Sequence, residues 1–202
     1  MVVRNPASMV RDGAAVELVR EVPLRGLEKL RPALERLDLR PEPAVALDAG
    51  ASAGGFVQAL LEFGARRVYA VDVGFGQLLG SLRQDPRVVV LERTNVADLD
   101  RSRVPDPVEL VTLDLGYLAL ADGVPQLGGL AFAPGAQLVA LVKPMFELRL
   151  AAPPDEPEVI AEAVRRARAG VEAAGWSVVA EMESPVRGSR GAVEWFLHAR
   201  RD

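Results

Sequence analysis

Apolar segments of strand length alternate with helical segments along most of this chain, and that alternation restricts its fold more than any other feature. From residue 44 onward, near-continuous apolar runs are separated by segments whose apolar residues recur at helical spacing. Strands that are apolar at every position lie in parallel sheets covered on both faces. We therefore predict strands over 44–47, 67–71, 88–91, 108–113, 137–142, 176–181 and 193–199, and helices over 55–63, 75–83 and 158–174.

The predicted fold class is α/β: a Rossmann-like, mostly parallel sheet with helices on both faces. No helical segment separates the last two predicted strands, so we expect them to pair as a C-terminal antiparallel hairpin. Segment 118–130 is a weaker helix candidate because Gly123 and Pro125 interrupt it.

Two segments precede the alternating region. Residues 24–38 have leucines at helical spacing with charges between them, which predicts a helix. Residues 2–20 have the pattern of a short hairpin, and two strands cannot bury a core unaided. We predict that residues 1–20 are a hairpin or linker remnant and that residues 21–202 form one domain.

The composition excludes several kinds of site. The 202 residues include no cysteine and one histidine, so a disulfide framework, a metal site and a serine–histidine triad are not expected. The net charge of −4 does not favour nucleic-acid binding through bulk charge, although arginines cluster near both ends of the chain. There is no apolar run of membrane-spanning length and no charged-then-apolar leader. We expect a cytoplasmic protein with no membrane partner.

A glycine-rich loop follows the first predicted strand of the domain. It reads LDAGASAGGF over 47–56 and leads into a predicted helix, whose unpaired N–H groups can hold a ligand. Asp72 ends the next strand, about 20 residues after the loop, where an acidic side chain binds ribose hydroxyls. NAD and S-adenosylmethionine both fit this arrangement. Asp48, placed for a methionine amino group, and the departure from a strict GxGxxG loop favour S-adenosylmethionine.

The basic residues are distributed unevenly between the two residue types. Of the 24 basic residues only Lys29 and Lys143 are lysines, and the others are arginines. Arginine stays protonated, whereas lysine can lose its proton, so an isolated lysine is a candidate for proton chemistry. A coding bias toward arginine is the alternative explanation. Lys143 and Asp114 each follow a predicted strand, so both are expected at the ligand-binding edge of the sheet.

Several longer phrases resemble one family over residues 21–202. The similarity is to TlyA-type haemolysin/ribosomal RNA methyltransferases, which are relatives of the FtsJ/RrmJ ribose 2′-O-methyltransferases. The phrases that carry it are LDAGASAGGF, VYAVDVGFGQL, DPRVVVLERTN, LVTLDLGYLAL, LVALVKPMFEL and GAVEWFLH. The resemblance implies a class I methyltransferase fold, S-adenosyl-L-methionine as the cofactor, and RNA, most of all ribosomal RNA or a ribosomal subunit, as the partner.

The resemblance also implies a catalytic tetrad. It assigns the family's Lys-Asp-Lys-Glu residues to Lys29, Asp114, Lys143 and Glu194, which uses both lysines of the chain. Lys143 would be the general base for a ribose 2′-hydroxyl, with Asp114 and Glu194 tuning it and Lys29 orienting the hydroxyl. The implied cofactor-binding residues are Asp48, Gly50, Ala51, Ser52, Gly54, Gly55, Phe56, Asp72, Val73, Asn95 and Asp114. Asn95 would read the adenine amino group.

The chain departs from the family pattern on the substrate side. Family members begin with an S4 RNA-binding domain, and residues 2–20 resemble only its last hairpin. Gly116 and Tyr117 replace the usual Ser-Phe, and Leu24 stands where the family has serine before its Arg-Gly. The leading hypothesis is a ribose 2′-O-methyltransferase acting on structured RNA. A small-molecule O-methyltransferase, a non-catalytic cofactor-binding protein in an RNA assembly, and a dehydrogenase are the alternatives.

Overall fold

All seven predicted strands are present in the computed structural model, which describes residues 24–37, 39 and 44–201. The apolar side chains of the five inner strands are mostly buried against helices, as the near-continuous hydrophobic runs require. The two edge strands differ: strand 88–92 is only partly buried, and Val179 on strand 177–183 is exposed. The strands are β1 (Val45–Ala49), β2 (Arg67–Asp72), β3 (Val88–Glu92), β4 (Val108–Leu113), β5 (Phe132–Val142), β6 (Ser177–Glu183) and β7 (Trp195–Arg200).

The strand order places a ligand site at the middle of the sheet. The order is β3-β2-β1-β4-β5-β7-β6. The first five strands of that order are parallel, and β7 runs antiparallel to both β5 and β6. This confirms the predicted mostly parallel sheet with a C-terminal antiparallel hairpin. The chain runs from β1 outward to β2 and β3, and then crosses to β4 on the other side of β1. An open α/β sheet binds its ligand where the strand order reverses in this way, at the topological switch point.

Helices cover both faces of the sheet. On one face α1 and α2 pack over an apolar cluster, and α4 and α6 pack over a second cluster on the other face. The helices are α1 (Arg25–Arg36), α2 (Gly55–Glu62), α3 (Gly80–Arg83), α4 (Leu120–Gly123), α5 (Pro144–Glu147) and α6 (Pro157–Ala173). The two apolar clusters make this a three-layer α/β/α structure.

Helix α1 is held on the sheet by its leucine stripe. Leu27, Leu30 and Leu34 recur at helical spacing and are buried, with Leu30 and Leu34 fully inaccessible. Truncating one such leucine to alanine costs about 2–5 kcal/mol of folding free energy because a cavity remains. The stripe fixes how α1 lies against α2, and it thereby positions Lys29, which is on the same helix.

The predicted helix over 75–83 is wrong for most of its length, because only Gly80–Arg83 is helical. Gly76 adopts a left-handed φ of 71°, which ends any helix that would begin at Phe75. Its N–H donates instead to a carboxylate oxygen of Glu92 at 2.9 Å. The segment after β2 is therefore a bent loop, and it lies beside the carboxyl end of β2.

Other boundaries move by a few residues. Strand β5 begins at Phe132, five residues before the predicted start, and Gly135 within it has a positive φ. Segment 118–130 divides into α4 and a 3₁₀ turn at Val124–Gly129, as Gly123 and Pro125 predicted. Strand β7 begins at Trp195, so Glu194 immediately precedes the strand instead of lying in it.

The predicted hairpin over 2–20, and with it the assignment of residues 1–20 to a separate unit, lies outside the residues that the structure describes. The predicted helix over 24–38 is confirmed as α1, which begins at Arg25 and ends at Arg36. Within residues 24–37, 39 and 44–201, no helix combines the length and the apolar character that crossing a membrane requires.

Candidate active site

The glycine loop between β1 and α2 brings two strand ends together at Gly50. Gly50 has a φ of 92°, and its N–H donates to the Val71 carbonyl at 2.9 Å. A Cβ at this position would collide with the carbonyl oxygen of Asp114. Glycine is therefore required both by the backbone conformation and by the close approach of the β4 end.

The other glycines of the loop seat α2. Gly54 precedes the helix with a φ of 98°, and a Cβ there would collide with the Leu82 side chain. Gly55 packs against Gly26 of α1, where a Cβ would lie 2.6 Å from the Gly26 Cα. Ser52, at the tip, adopts a positive φ of 45°, which is uncommon for a residue with a side chain. The loop is thus shaped for close backbone approach.

Asp72 joins the glycine loop to the loop after β2. One carboxylate oxygen accepts from the Ser52 N–H at 2.8 Å, and the other accepts from the Gly74 N–H at 2.6 Å. An ionised carboxylate has about four acceptor positions, so two remain for a ligand. The carboxylate also lines a cavity, described below, which is where hydroxyl groups of a sugar would meet it.

Asp48 is a fully buried carboxylate beneath the loop. Its Oδ1 accepts from the Thr112 hydroxyl at 2.7 Å, whereas its Oδ2 is buried and has no hydrogen-bond partner within the described structure. Burial raises the pKa of Asp48 to about 7, and the hydrogen bond from Thr112 partly opposes this shift. A buried oxygen without a partner favours a nearby cationic group on a ligand. The side chain itself lines none of the cavities described below.

A cavity of about 300 Å³ opens at the carboxyl ends of β1, β2 and β4. This space, called the cofactor cavity below, is lined by two acidic residues and by several apolar side chains. Its lining consists of Gly50, Ser52, Val71, Asp72, Val73, Gln77, Thr94, Val96, Asp114, Leu115, Gly116, Tyr117 and Lys143. Its size is at the lower end of the range for small-molecule sites.

The structure places Asn95 differently from the other predicted cofactor residues. Its side-chain oxygen accepts from the Ala97 N–H at 3.1 Å and caps the short 3₁₀ turn that follows β3. Asn95 is exposed, and its neighbours Thr94 and Val96 line the cofactor cavity. The predicted contact between Asn95 and adenine therefore stays a prediction that this side-chain position does not itself support.

Asp114 and Lys143 form the first pair of the predicted tetrad. They follow β4 and β5 directly, and the parallel pairing of these strands brings both side chains to one edge of the sheet. The Lys143 ammonium makes an ion pair with Asp114 Oδ1 and donates to the Leu115 carbonyl at 3.3 Å. The Lys143 side chain is 18% exposed and the Asp114 side chain 21%, so a substrate can reach them.

Lys29 and Glu194 form the second pair. Lys29 Nζ donates to Glu194 Oε2 at 2.6 Å, and the two side chains are 7% and 5% exposed. Lys29 lies on α1, and Glu194 immediately precedes β7, so the pair links the two ends of the described chain. Removing one partner of a buried ion pair costs about 3–5 kcal/mol, because the other charge is left uncompensated.

One further cavity, of about 320 Å³, brings the four tetrad residues together. This tetrad cavity shares Gly50, Ser52, Asp114 and Lys143 with the cofactor cavity. The predicted residues Ala51, Gly55 and Phe56 line it as well, on the side of α2. A group held in the cofactor cavity and a group held in the tetrad cavity would thus meet between Asp114 and Lys143.

Two residues without a predicted role hold the buried pair in place. The Arg25 guanidinium donates to the carbonyls of Arg187 and Gly188, which ties the start of α1 to the loop before β7. Gly188 packs against the Glu194 carboxylate so closely that a Cβ would collide with it. The only sequence signal for either was its distance from a tetrad residue: Arg25 precedes Lys29 by four residues, and Gly188 precedes Glu194 by six.

Glu147 is a further buried carboxylate that the sequence did not identify. It accepts from the Leu120 N–H at 2.9 Å and so joins α5, which follows Lys143, to the start of α4. Burial raises the pKa of Glu147 to about 7. Its only sequence signal was its position four residues after Lys143, inside a phrase that resembles the family.

Comparisons with known proteins agree with this geometry. Residues 23–201 match the family described as FtsJ-like methyltransferase. The chain is 41% identical over 205 residues to the 16S/23S rRNA (cytidine-2′-O)-methyltransferase TlyA of Mycobacterium tuberculosis, over 97% of this chain and 76% of that protein.

Solved structures share the fold. A protein of Streptococcus thermophilus that bears the provisional name hemolysin is 33% identical, with a TM-score of 0.83 over 92% of this chain and 68% of that chain. The 1,6-didemethyltoxoflavin-N1-methyltransferase of Burkholderia thailandensis is 22% identical, with a TM-score of 0.60 over 88% and 78% of the two chains. At that identity the likeness indicates the fold alone, and it is the predicted class I methyltransferase fold. The chain therefore belongs to the FtsJ-like methyltransferase family.

Proposed function

We propose that this protein transfers a methyl group from S-adenosylmethionine to a ribose 2′-hydroxyl of structured RNA, with ribosomal RNA as its substrate. The observation that carries the proposal is the shared boundary between the two cavities. Asp114 and Lys143 line both of them, at the point where a cofactor and an acceptor would meet. Family membership supports the same activity.

The cofactor cavity has the features that S-adenosylmethionine requires. The free acceptor positions of Asp72 suit ribose hydroxyls, and the apolar Val73, Val96 and Leu115 suit an adenine ring. Gly50 has no side chain and lines this cavity, so its backbone can contact the methionine portion directly. The partnerless oxygen of Asp48 lies beneath this loop and favours a positively charged ligand above it.

Lys143 has the position of a general base. When bound, S-adenosylmethionine supplies a methyl carbon on a positively charged sulfur, which leaves with the electron pair of the broken bond. The neutral Lys143 amine would accept the 2′-hydroxyl proton as the ribose oxygen bonds to that carbon. The Asp114 carboxylate, in ion-pair contact with Lys143, would stabilise the ammonium that forms. Holding the acceptor in line is the remaining requirement.

The buried pair has a positioning role in this proposal. Lys29 and Glu194 line the tetrad cavity but neutralise each other and are almost inaccessible. Because each charge is already paired with the other, the two side chains can orient a hydroxyl through hydrogen bonds but are not free to accept its proton. We assign the fine orientation of the acceptor to them and the proton transfer to Lys143.

The RNA substrate rests on the relatives. The M. tuberculosis protein that shares 41% identity is named a 16S/23S rRNA (cytidine-2′-O)-methyltransferase. We extend ribosomal RNA to this chain as its substrate class, with residues 21–202 as the methyltransferase domain. Such a substrate implies that the protein works in the cytoplasm.

The test is transfer of labelled methyl from S-adenosylmethionine to ribosomal subunits and to free ribosomal RNA. We expect label in RNA with wild-type protein and a loss of about 10²–10⁴-fold with Lys143→Ala. Cofactor binding should raise the melting temperature of both proteins, because a ligand that binds only the folded state stabilises it. Nuclease digestion should recover the label on a ribose.

Two results would contradict the proposal. If the protein bound the cofactor but labelled no ribosomal RNA, ribosomal RNA would be ruled out as its substrate. If Lys143→Ala transferred methyl groups at the wild-type rate, Lys143 would be ruled out as the base. Arg165→Ala is a suitable control, because Arg165 lies on the exposed face of α6, pairs only with Glu162 and lines neither the cofactor nor the tetrad cavity.

A further inference from the structure

A third cavity, of about 340 Å³, adjoins the tetrad cavity and contains an arginine. It shares Lys143 and Glu194 with the tetrad cavity, and it extends along Met145 and Phe146 toward the loop before β7. Arg190, on that loop, lines it. We call this space the outer cavity. An acceptor that reaches Lys143 from this side would pass Arg190.

The charge of the outer cavity comes from Arg190 alone. Lys143 is paired with Asp114, and Glu194 is paired with Lys29, so neither contributes net charge. Arg190 is exposed, and among the residues that the structure describes it has no ion pair and no side-chain hydrogen bond. The outer cavity therefore carries one uncompensated positive charge.

The arginines that line other cavities of the described residues are already engaged. In a separate cavity along α6 and β6, Arg165 pairs with Glu162, and Arg168 and Arg187 pair with other glutamates. Arg25 donates to two backbone carbonyls. Arg190 differs from all of them in having its guanidinium available to a ligand.

The backbone at Arg190 is unfavourable for an arginine. Its φ of 57° and ψ of 27° are left-handed, and Gly191 follows with a φ of 78°. The turn is closed by the Gly188 N–H donating to the Ala192 carbonyl at 2.7 Å. Glycine would adopt this conformation without strain, so the arginine side chain is present against local preference. Strain of this kind beside an active site is a reason to look for a function.

We propose that Arg190 binds a backbone phosphate of the RNA next to the target ribose. The inference rests on the proposed function and extends it to one substrate contact. A guanidinium binds a phosphate through two parallel hydrogen bonds, which fixes orientation as well as adding charge attraction. A ribose 2′-hydroxyl has a phosphate on the adjacent 3′-oxygen. A cation that shares a cavity with Lys143 is placed to hold that phosphate while the hydroxyl faces the lysine.

The test compares Arg190→Gly with the matched control Arg149→Gly. Arg149 is also exposed and has a φ of 54°. It lines none of the three cavities around the tetrad, and its Nη2 lies 3.8 Å from Asp122 Oδ2. Both substitutions relieve the same backbone strain and remove the same charge. Methyl transfer to ribosomal RNA would be measured at several salt concentrations, together with cofactor affinity and melting temperature.

We expect Arg190→Gly to raise the KM for RNA about tenfold, as loss of a charged hydrogen bond does. The slope of log affinity against log salt should fall by about one, the mark of a lost phosphate contact. The effect should fall on KM more than on kcat. Arg149→Gly should change neither the KM for RNA nor the salt slope.

Equal KM values and salt slopes for the two variants would overturn the inference. A raised KM with an unchanged salt slope would also overturn it, because the loop shape and not a phosphate contact would then be responsible. Failure of the wild-type protein to label any ribosomal RNA is a different result. It would contradict the proposed function itself, and this inference with it.

Discussion

The two lysine–carboxylate pairs of the tetrad differ in how they are built and in how far water reaches them. Lys143 and Asp114 sit on the ends of neighbouring parallel strands and stay about one-fifth exposed. Lys29 and Glu194 come from α1 and from the loop before β7, and they are buried. The difference separates two tasks. An exposed pair can exchange protons with a substrate, whereas a buried pair fixes geometry.

The environment of each pair supports this division. The exposed pair lines both the cofactor cavity and the tetrad cavity, whereas the buried pair lines only the second of these. The buried pair is also surrounded by contacts that hold it, from Arg25 and from the close packing of Gly188. Changes to the buried pair should therefore act on stability first, and changes to the exposed pair on the reaction.

The largest stability effect is expected from Lys29→Met. It leaves the Glu194 carboxylate buried and unpaired, so the free energy of unfolding should fall by about 3–5 kcal/mol. Denaturant unfolding monitored by tryptophan fluorescence would measure it. The double variant Lys29→Met with Glu194→Leu should recover most of the loss, because no buried charge remains. If Lys29→Met were as stable as wild type, the proposed division between a buried positioning pair and an exposed reacting pair would be contradicted.

A smaller loss is expected from Gly188→Ala. The added Cβ would collide with the Glu194 carboxylate and push the buried pair apart, which costs about 1–3 kcal/mol as overpacking does. Thermal unfolding would detect it. Gly128→Ala is the control, because a Cβ there meets nothing within 4 Å. If both variants melt together, the loop before β7 adapts more easily than the packing indicates.

The third prediction concerns Asp48, the buried carboxylate at the end of β1. The pKa of Asp48 is about 7 when folded, against an unperturbed 3.8, so the folded state keeps a proton that the unfolded state has lost between pH 4 and 7. Stability should fall as pH rises through this window and level off above it. Asp48→Asn should remove up to about 1.4 kcal/mol per pH unit of that slope.

The comparison of variant with wild type isolates Asp48 from the other groups. Glu147, whose pKa burial also raises to about 7, adds a similar slope. Burial lowers the pKa of His198 to about 4, and this adds a slope of opposite sign between pH 4 and 6.5. Both contributions cancel in the difference between the two proteins. Parallel pH profiles for Asp48→Asn and wild type would show that Asp48 is charged when folded.

The sequence was sufficient for the exposed pair and not for the buried one. Asp114 and Lys143 follow apolar strands, so the rule that ligands bind at strand ends places them together. Lys29 and Glu194 are 165 positions apart in sequence, and only the family resemblance joined them. No periodicity predicts that α1 docks beside β7, because that contact depends on how the leucine stripe and Gly26 pack against α2.

Loop conformation was the other limit of sequence reasoning. The predicted helix over 75–83 failed at Gly76, whose left-handed φ depends on a tertiary hydrogen bond to Glu92. Asn95 was assigned to adenine by resemblance alone; its side-chain oxygen caps a 3₁₀ turn, and its contact with adenine stays a prediction. Arg25, Gly188 and Arg190 have roles that arise only when distant segments meet, so composition and spacing could not identify them.

The most direct test of the division between the two pairs is methyl transfer by Lys143→Arg. Arginine preserves a positive charge for Asp114 but does not lose its proton, so it cannot act as a base. The account predicts a folded protein that binds S-adenosylmethionine with wild-type affinity and transfers methyl groups to ribosomal RNA about 10²–10⁴-fold more slowly. Transfer near the wild-type rate would contradict it, because Lys143 would then contribute charge alone.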